Sequence, residues 1–199
     1  MKLIPTGWQT VGPFFSIGLD RLCNENIAVG KFEGERIAIA GRVLDGDGAP
    51  VPDALLEIWQ ADARGIYPGC HSSYHEASSH NATGNAGPEN RFRGFARVAT
   101  NERGEFRFES IKPGSVSDGG GQGQAPHLLV SVFMRGLLTR LVTRIYFPSD
   151  PRNASDLVLG LVPAERRNTL IARAASDEVG SYTWNVVLQG PEETVFFAC

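Results

Sequence analysis

A chain of 199 residues with 42% hydrophobic and 21% charged side chains has the composition of one globular domain, with or without an arm, and is long enough to bury a full core. Nineteen basic against 22 acidic residues, a net charge of -3 and a pI near 5.8 give no general attraction for nucleic acid or an anionic membrane, so an anionic ligand must be met by locally placed arginine. No run approaches the ~18 apolar residues of a membrane span, Met1–Thr6 lacks the apolar core of a signal peptide, and the widely spaced Cys23, Cys70 and Cys199 suit reduced thiols, so the expectation is a cytoplasmic protein.

Residues 1–30 show little alternation, and Thr10-Val11-Gly12-Pro13-Phe14-Phe15 reads as a turn followed by two aromatics. An apolar arm cannot form a core alone, so it must bury its aromatics against the main domain or a partner chain; we assign 1–35 as an arm packing on a partner and 36–199 as the domain. From Arg36 the pattern alternates: Ile37, Ile39 and Val43, a turn at Asp45-Gly46-Asp47-Gly48, and a return from Val51 to Trp59. A second such unit runs from Phe92 to Ala99, turns at Asn101–Gly104 and continues through Glu105–Phe108. His127–Met134, Leu141–Phe147, Ser181–Leu188 and Val195–Phe197 are rich in Val, Ile, Leu and aromatics. At least seven short strands with polar turns predict an all-β protein, a β-sandwich, with one short helix over Pro163–Ala172.

Several motifs invite chemistry. His71 and His75 have helix-face spacing beside Cys70, with His80 nearby, but the Ser- and Gly-rich surroundings are poor helix material, and solvated loop histidines are the better reading than a zinc site. The sequons at Asn81 and Asn153 carry no weight without secretion, and Gly119-Gly120-Gly121 lacks the Lys-Ser/Thr of a phosphate cradle. The stretch Ile111 to Arg135 is more informative: a strand ends at Lys112-Pro113-Gly114, a polar loop swings out to Gln124, and an apolar strand begins at His127. Residues two apart on a strand share a face, so His127 and Leu129 are expected to look into one pocket. Arg135 lies eight residues from His127, on the same parity, and its guanidinium suits a planar carboxylate.

Thr10-x-Gly12-Pro13, Gly41-Arg42-Val43-x-Asp45-Gly46-x-Gly48, Leu55-x-Glu57-Ile58-Trp59-Gln60-Ala61, Gly65-x-Tyr67, Ile111-Lys112-Pro113-Gly114 and Ala125-Pro126-His127, in this order, resemble the intradiol ring-cleaving dioxygenases over nearly the whole chain. Gln124–His127, Phe133-x-Arg135-Gly136, Arg166-Arg167-x-Thr169-Leu170-Ile171-Ala172 and Gly190-x-Glu192-Glu193-Thr194-Val195-Phe196-Phe197 look like the α chain of those members built from two homologous subunits. The resemblance implies a prealbumin-like β-sandwich with an N-terminal arm and long irregular loops. It also implies αβ units in a higher oligomer, and Fe(III) held by the β chain, where a small aromatic acid chelates the ion through its catechol and O2 cleaves the ring.

In that family two tyrosines and two histidines hold the iron, and residue by residue these positions fall here on Tyr67, Val116, His127 and Leu129. Losing one phenolate and one imidazole removes charge and half the chelate, so this chain is expected to bind no iron and to carry no catalytic residue of its own. The arginine that precedes the first histidine by three residues is Gln124 here, in keeping with that loss. Thr10, Gly12, Pro13 and Arg135 are the positions that the resemblance places in the wall of the iron-bearing partner's substrate cavity. Two alternatives remain at this point: a free-standing binding module for an aromatic acid, and a single-chain enzyme with substitute ligands such as Tyr74 or a loop histidine.

Overall fold

A computed structural model describes residues 5–12, 14–28, 30, 32–68, 92–117, 123–175 and 179–198, and all structural statements below concern these. The strands in chain order are β1 (Arg36–Leu44), β2 (Leu55–Trp59), β3 (Phe95–Ala99), β4 (Glu105–Ile111), β5 (Val116–Ser117), β6 (Gly123–Gln124), β7 (His127–Phe133), β8 (Leu141–Tyr146), β9 (Arg173–Ala174), β10 (Ser181–Thr183) and β11 (Val186–Val187). Helix is confined to short pieces, α1 (Phe15–Leu19), α2 (Leu157–Gly160) and three 3-10 segments. No helix is long and apolar enough to cross a membrane among the described residues.

Alternation decides the first sheet. Ile37, Ile39 and Val43 of β1 are buried while Arg36 and Arg42 face out, and β4 runs antiparallel beside it with Phe106 and Phe108 turned to the same interior. On its other edge β1 pairs in parallel with β10 and then β11, and β9 extends β10. The second sheet is antiparallel throughout, in the order β3-β2-β7-β8. Leu56, Ile58, Val98, Val130 and Val132 from this sheet join Ile39, Val43 and Phe108 from the first in one hydrophobic cluster. The fold is therefore mostly β, as expected, with two sheets sharing a core.

Three expectations are corrected in detail. Ser181–Leu188 is not one strand: the Trp184 N–H still donates to the carbonyl of Ala40 at 2.9 Å, but the Arg42 N–H turns to the side-chain oxygen of Asn185 at 3.0 Å, while the buried Trp184 ring donates from Nε1 to the carbonyl of Thr169 at 2.9 Å. The Trp184 carbonyl then lies over Gly41, where a Cβ would sit 1.7 Å from its oxygen, so only glycine fits that point of β1. The stretch predicted as a helix over Pro163–Ala172 is a 3-10 segment, Ala164–Leu170; Thr169 bonds back to the carbonyl of Arg166 at 2.8 Å, and the guanidinium of Arg167 is turned to the carbonyls of Val162 and Gly160. Val195–Phe197 forms no strand but a single bridge to β8 at Val142, held by Thr143 donating to the carbonyl of Val195 at 2.8 Å. Arg166 donates to the carbonyl of Glu193 at 2.8 Å, so the two C-terminal motifs read from the sequence are halves of one clamp.

The segment before β1 is stitched to both sheets. Asn24 donates to the carbonyl of Arg97, Glu109 to that of Glu25 and Ile27 to that of Glu109, at 2.7–2.9 Å, and Ile27 enters the core. Ahead of it, Trp8, Val11, Phe14 and Ile17 are exposed, Trp8 and Phe14 each by 76%, so they are not tucked onto their own domain. At the other end of the sandwich the buried Gln60 accepts from Ser110 at 2.6 Å and donates to the carbonyl of Ile111 at 3.0 Å. The chain after β2 and the chain after β4 thus leave the sheets together, and both run into the candidate site.

Candidate functional site

Asp62 shapes the first of these exits: its carboxylate accepts from the backbone of Arg64 at 2.9 Å and Ile66 at 3.0 Å, closing a tight turn. Gly65 completes it with φ +82°, and a Cβ there would lie 1.9 Å from the carbonyl oxygen of Ser115. Gly114 donates to the carbonyl of Asp62 at 2.9 Å, lacing the second exit to the first. Tyr67 is thereby delivered beside the Ser115–Val116 segment, with its ring parallel to Trp59 at a centroid distance of 6.2 Å.

The sequence-predicted pair Tyr67 and His127 does meet: the phenol oxygen lies 3.3 Å from Nε2 of the imidazole. Nδ1 lies 2.8 Å from the carbonyl oxygen of Ala125, which can only accept, so Nδ1 carries the proton and Nε2 offers a lone pair. Tyr67 donates into that lone pair. Each group that might have faced a metal ion instead satisfies the other.

Burial first, and then the Arg144 guanidinium, pushes His127 down from its ordinary 6.5 to about 4. Between those values the unfolded chain binds a proton that the folded chain does not, so stability rises with pH across this window. The contribution is complete above about pH 6.5 and is lost as pH falls toward 4; it amounts to roughly 3 kcal/mol. Urea unfolding at several pH values should show His127→Gln with a flatter dependence than the parent from pH 6.5 to 4, and equal slopes would refute a neutral buried imidazole.

Leu129 lies two residues on from His127, on the same face of β7, and is paired with Trp59 on one side and Arg144 on the other. Val116 is paired with Gln124 in the small β5–β6 ribbon, whose base is fastened by Ser115 donating to the carbonyl of Gln124 at 2.6 Å. Arg144 donates from Nη1 to Oε1 of Gln124 at 2.9 Å and to the phenol oxygen of Tyr146 at 3.2 Å. Tyr146 in turn donates its hydroxyl to Asp156 at 3.1 Å, and burial pushes its phenol well above the usual range. Asp156, 2% exposed, also accepts from the backbone of Ala125 and Leu159, both at 2.8 Å, capping α2 and fixing the chain just before His127. Arg144, Tyr146 and Asp156 were not singled out from the sequence; the only available signal was their alternation parity on β8 and an Asp just ahead of a short apolar run.

Arg135 stands elsewhere. The strand ends at Phe133, so the parity predicted from His127 does not reach it; Arg135 occupies an exposed turn closed by Gly136 at φ +90°. Its Nε is ion-paired with Asp53. Gly136 donates to the hydroxyl of Thr10 at 2.8 Å, which brings the arm's turn and the arginine together on one surface. Gly12 is open on all sides, whereas Pro13 lies outside the described residues, as do Cys70, His71, Tyr74, His75, His80 and the Gly119–Gly121 run.

The donor set does not fit the ferric ion that the resemblance implies. Tyr67 and His127 are one oxygen and one nitrogen, engaged with each other, while Val116 and Leu129 offer hydrocarbon. Among the described residues no three of His, Cys, Asp and Glu come together. A separate open concavity of about 770 Å³ is lined by Arg42, Glu105, Arg107 and Asn185. Its cations are already paired, Arg42 with Glu105 at 2.9 Å and Arg107 with Glu109 at 3.6 Å, so it offers little to the carboxylate of an aromatic acid.

A dioxygenase family profile matches residues 18–190. The chain is 41% identical over 203 aligned residues to the protocatechuate 3,4-dioxygenase alpha chain of Burkholderia cepacia, covering 95% of this chain and 94% of that one. It is 37% identical to the alpha chain of Pseudomonas putida, covering 99% and 98%, and 35% identical to the Burkholderia cepacia beta chain, covering 94% and 77%. Among solved structures, the dioxygenase domain of a carbohydrate-binding fusion from Streptomyces sp. SirexAA-E superposes with a TM-score of 0.60 over 83% of this chain and 87% of that one, at 23% identity, a likeness of fold. With the profile spanning most of its length and both kinds of subunit among its relatives, the chain belongs to the intradiol dioxygenase family and is similar over nearly its full length to alpha chains of protocatechuate 3,4-dioxygenase.

Proposed function

We propose that this chain is the non-catalytic α subunit of a cytoplasmic protocatechuate 3,4-dioxygenase, a prealbumin-like sandwich that pairs with a homologous β subunit, the αβ units assembling further. The partner's Fe(III) supplies the redox chemistry by which O2 opens protocatechuate between its hydroxyl-bearing carbons, giving 3-carboxy-cis,cis-muconate. This chain contributes walls and charge. Arg135, on its exposed turn, meets the substrate carboxylate directly or through water, and the Thr10–Pro13 turn excludes solvent beside it.

The observation that carries the reading is a contrast within one molecule. The inherited centre has lost two donors and closed on itself, while the Thr10–Gly136 bond holds a cation and an apolar arm on the outside, where only another chain can use them. Exposed Trp8, Val11, Phe14 and Ile17 are the surface that a β chain would cover.

Co-expression with an iron-bearing β homologue tests this. The two chains should co-purify in equal amounts, with about one iron per pair and ring-opening activity, whereas the α chain alone should be colourless and inactive. A soluble, red-brown single chain that opens protocatechuate would overturn the assignment.

A further inference from the structure

The two positions of the inherited centre that carry no donor are not merely vacant of ligands; their cross-strand partners are joined by a hydrogen bond. Leu129 is the cross-strand partner of Arg144, and Val116 is the cross-strand partner of Gln124. Opposed residues share a face of their ladder, so the 2.9 Å bond from Arg144 to Gln124 links the residue beside one of these positions to the residue beside the other. We propose that the Arg144 guanidinium is a built-in cation at this centre, tying together the strands beside the two donorless positions and barring a metal ion even when donors are restored there.

The charge is held, not loose. Nη1 is shared between Gln124 and Tyr146, and the hydroxyl of Tyr146 leads to the buried carboxylate of Asp156, so the guanidinium reaches its counter-charge through one phenol. That relay engages the side chains of the site with one another without a metal: Tyr67 donates to His127, His127 to Ala125, Arg144 to Gln124 and Tyr146, and Tyr146 to Asp156. A second cation brought beside Tyr67 and His127 would meet a guanidinium fixed on the same sheet face, in surroundings where repulsion is poorly screened.

The test restores donors with and without the cation, in the full-length chain, purified with its partner if that is its soluble form. Val116→Tyr/Leu129→His is compared with the same pair plus Arg144→Gln. Each is incubated with Fe(III) nitrilotriacetate, desalted, and read by plasma mass spectrometry and by the visible absorption of an iron–phenolate bond. The double variant should hold no iron above the parent's background, and the triple about one further ion per chain. Equal loading of the two, or no loading of a folded triple variant, would overturn the proposal.

Should the triple variant fail to fold, a smaller change decides the matter with Co(II) as the probe. Leu129→His/Arg144→Gln should bind at least about tenfold more tightly than Leu129→His alone, and equal affinities would again be fatal. Because metal loading is measured and not turnover, failure here leaves the assignment as an α subunit untouched.

Discussion

Replacing Arg135 by alanine in the assembled αβ enzyme should lower kcat/KM for protocatechuate by roughly 10- to 100-fold while the iron content of the complex stays at its parent level. The magnitude follows from one charge-assisted hydrogen bond to a carboxylate, about 1.5–3 kcal/mol when partly shielded from water, at about 1.4 kcal/mol per tenfold. Asp53, ion-paired with Arg135 in the free chain, holds the guanidinium at the turn in place of that carboxylate, so the substrate exchanges one anionic partner for another. Arg135→Lys should recover part of the loss, since it keeps the charge but not the planar fork. A smaller effect is expected of Thr10→Ala, whose hydroxyl accepts from Gly136 and reaches substrate only by steadying the turn. Steady-state kinetics with metal analysis on the same samples separates the possibilities: unchanged kinetics removes Arg135 from the cavity, and lost iron turns the effect into one of assembly.

The largest effect on stability should come from Asp156→Ala, at about 3–5 kcal/mol in urea unfolding of the assembled protein. Three buried donors lose their acceptor at once, the backbone of Ala125, the backbone of Leu159 and the hydroxyl of Tyr146. Tyr146 and the Arg144 cation beyond it are then left without their counter-charge. At the low end of a domain stability of about 5–15 kcal/mol, such a loss removes most of the margin against unfolding. Asp156→Asn should cost roughly half as much, because one oxygen still accepts. A cost below about 1 kcal/mol for the alanine variant would mean that water or a neighbouring group replaces the carboxylate, and the relay described for this centre would have to be redrawn.

What the chain's letters disclosed and what they hid divide along a physical line. Strands announced themselves wherever one face is buried and the other wet, as in Ile37-x-Ile39 or Leu56-x-Ile58, because the period of two is forced by burial. The pairing of Tyr67 with His127 was reachable only through likeness to a family, since sixty residues separate them and no local pattern links a turn to a distant strand. A strand that propensity would have continued past Trp184 is interrupted at Asn185, whose side-chain oxygen takes the Arg42 N–H in place of a backbone carbonyl. Arg144 gave little beyond its parity with Tyr146: an arginine inside an apolar strand looks like a surface charge until its cross-strand neighbours are known. Arg135 shows the converse error, a parity argument carried two residues past the end of the strand that licensed it.

The parallel pairing of β1 with β10 and β11 bears on how the molecule comes into being. Strands 55–59, 95–99, 127–133 and 141–146 are all translated before residue 147, so one layer can assemble on the ribosome. The other layer waits: β1 emerges early but lacks its parallel neighbours until the final stretch, 181–187, is released. Throughout that interval an apolar strand edge and the aromatic arm ahead of it stand uncovered together, which makes the nascent α chain prone to aggregate and gives early capture by a β chain a kinetic premium.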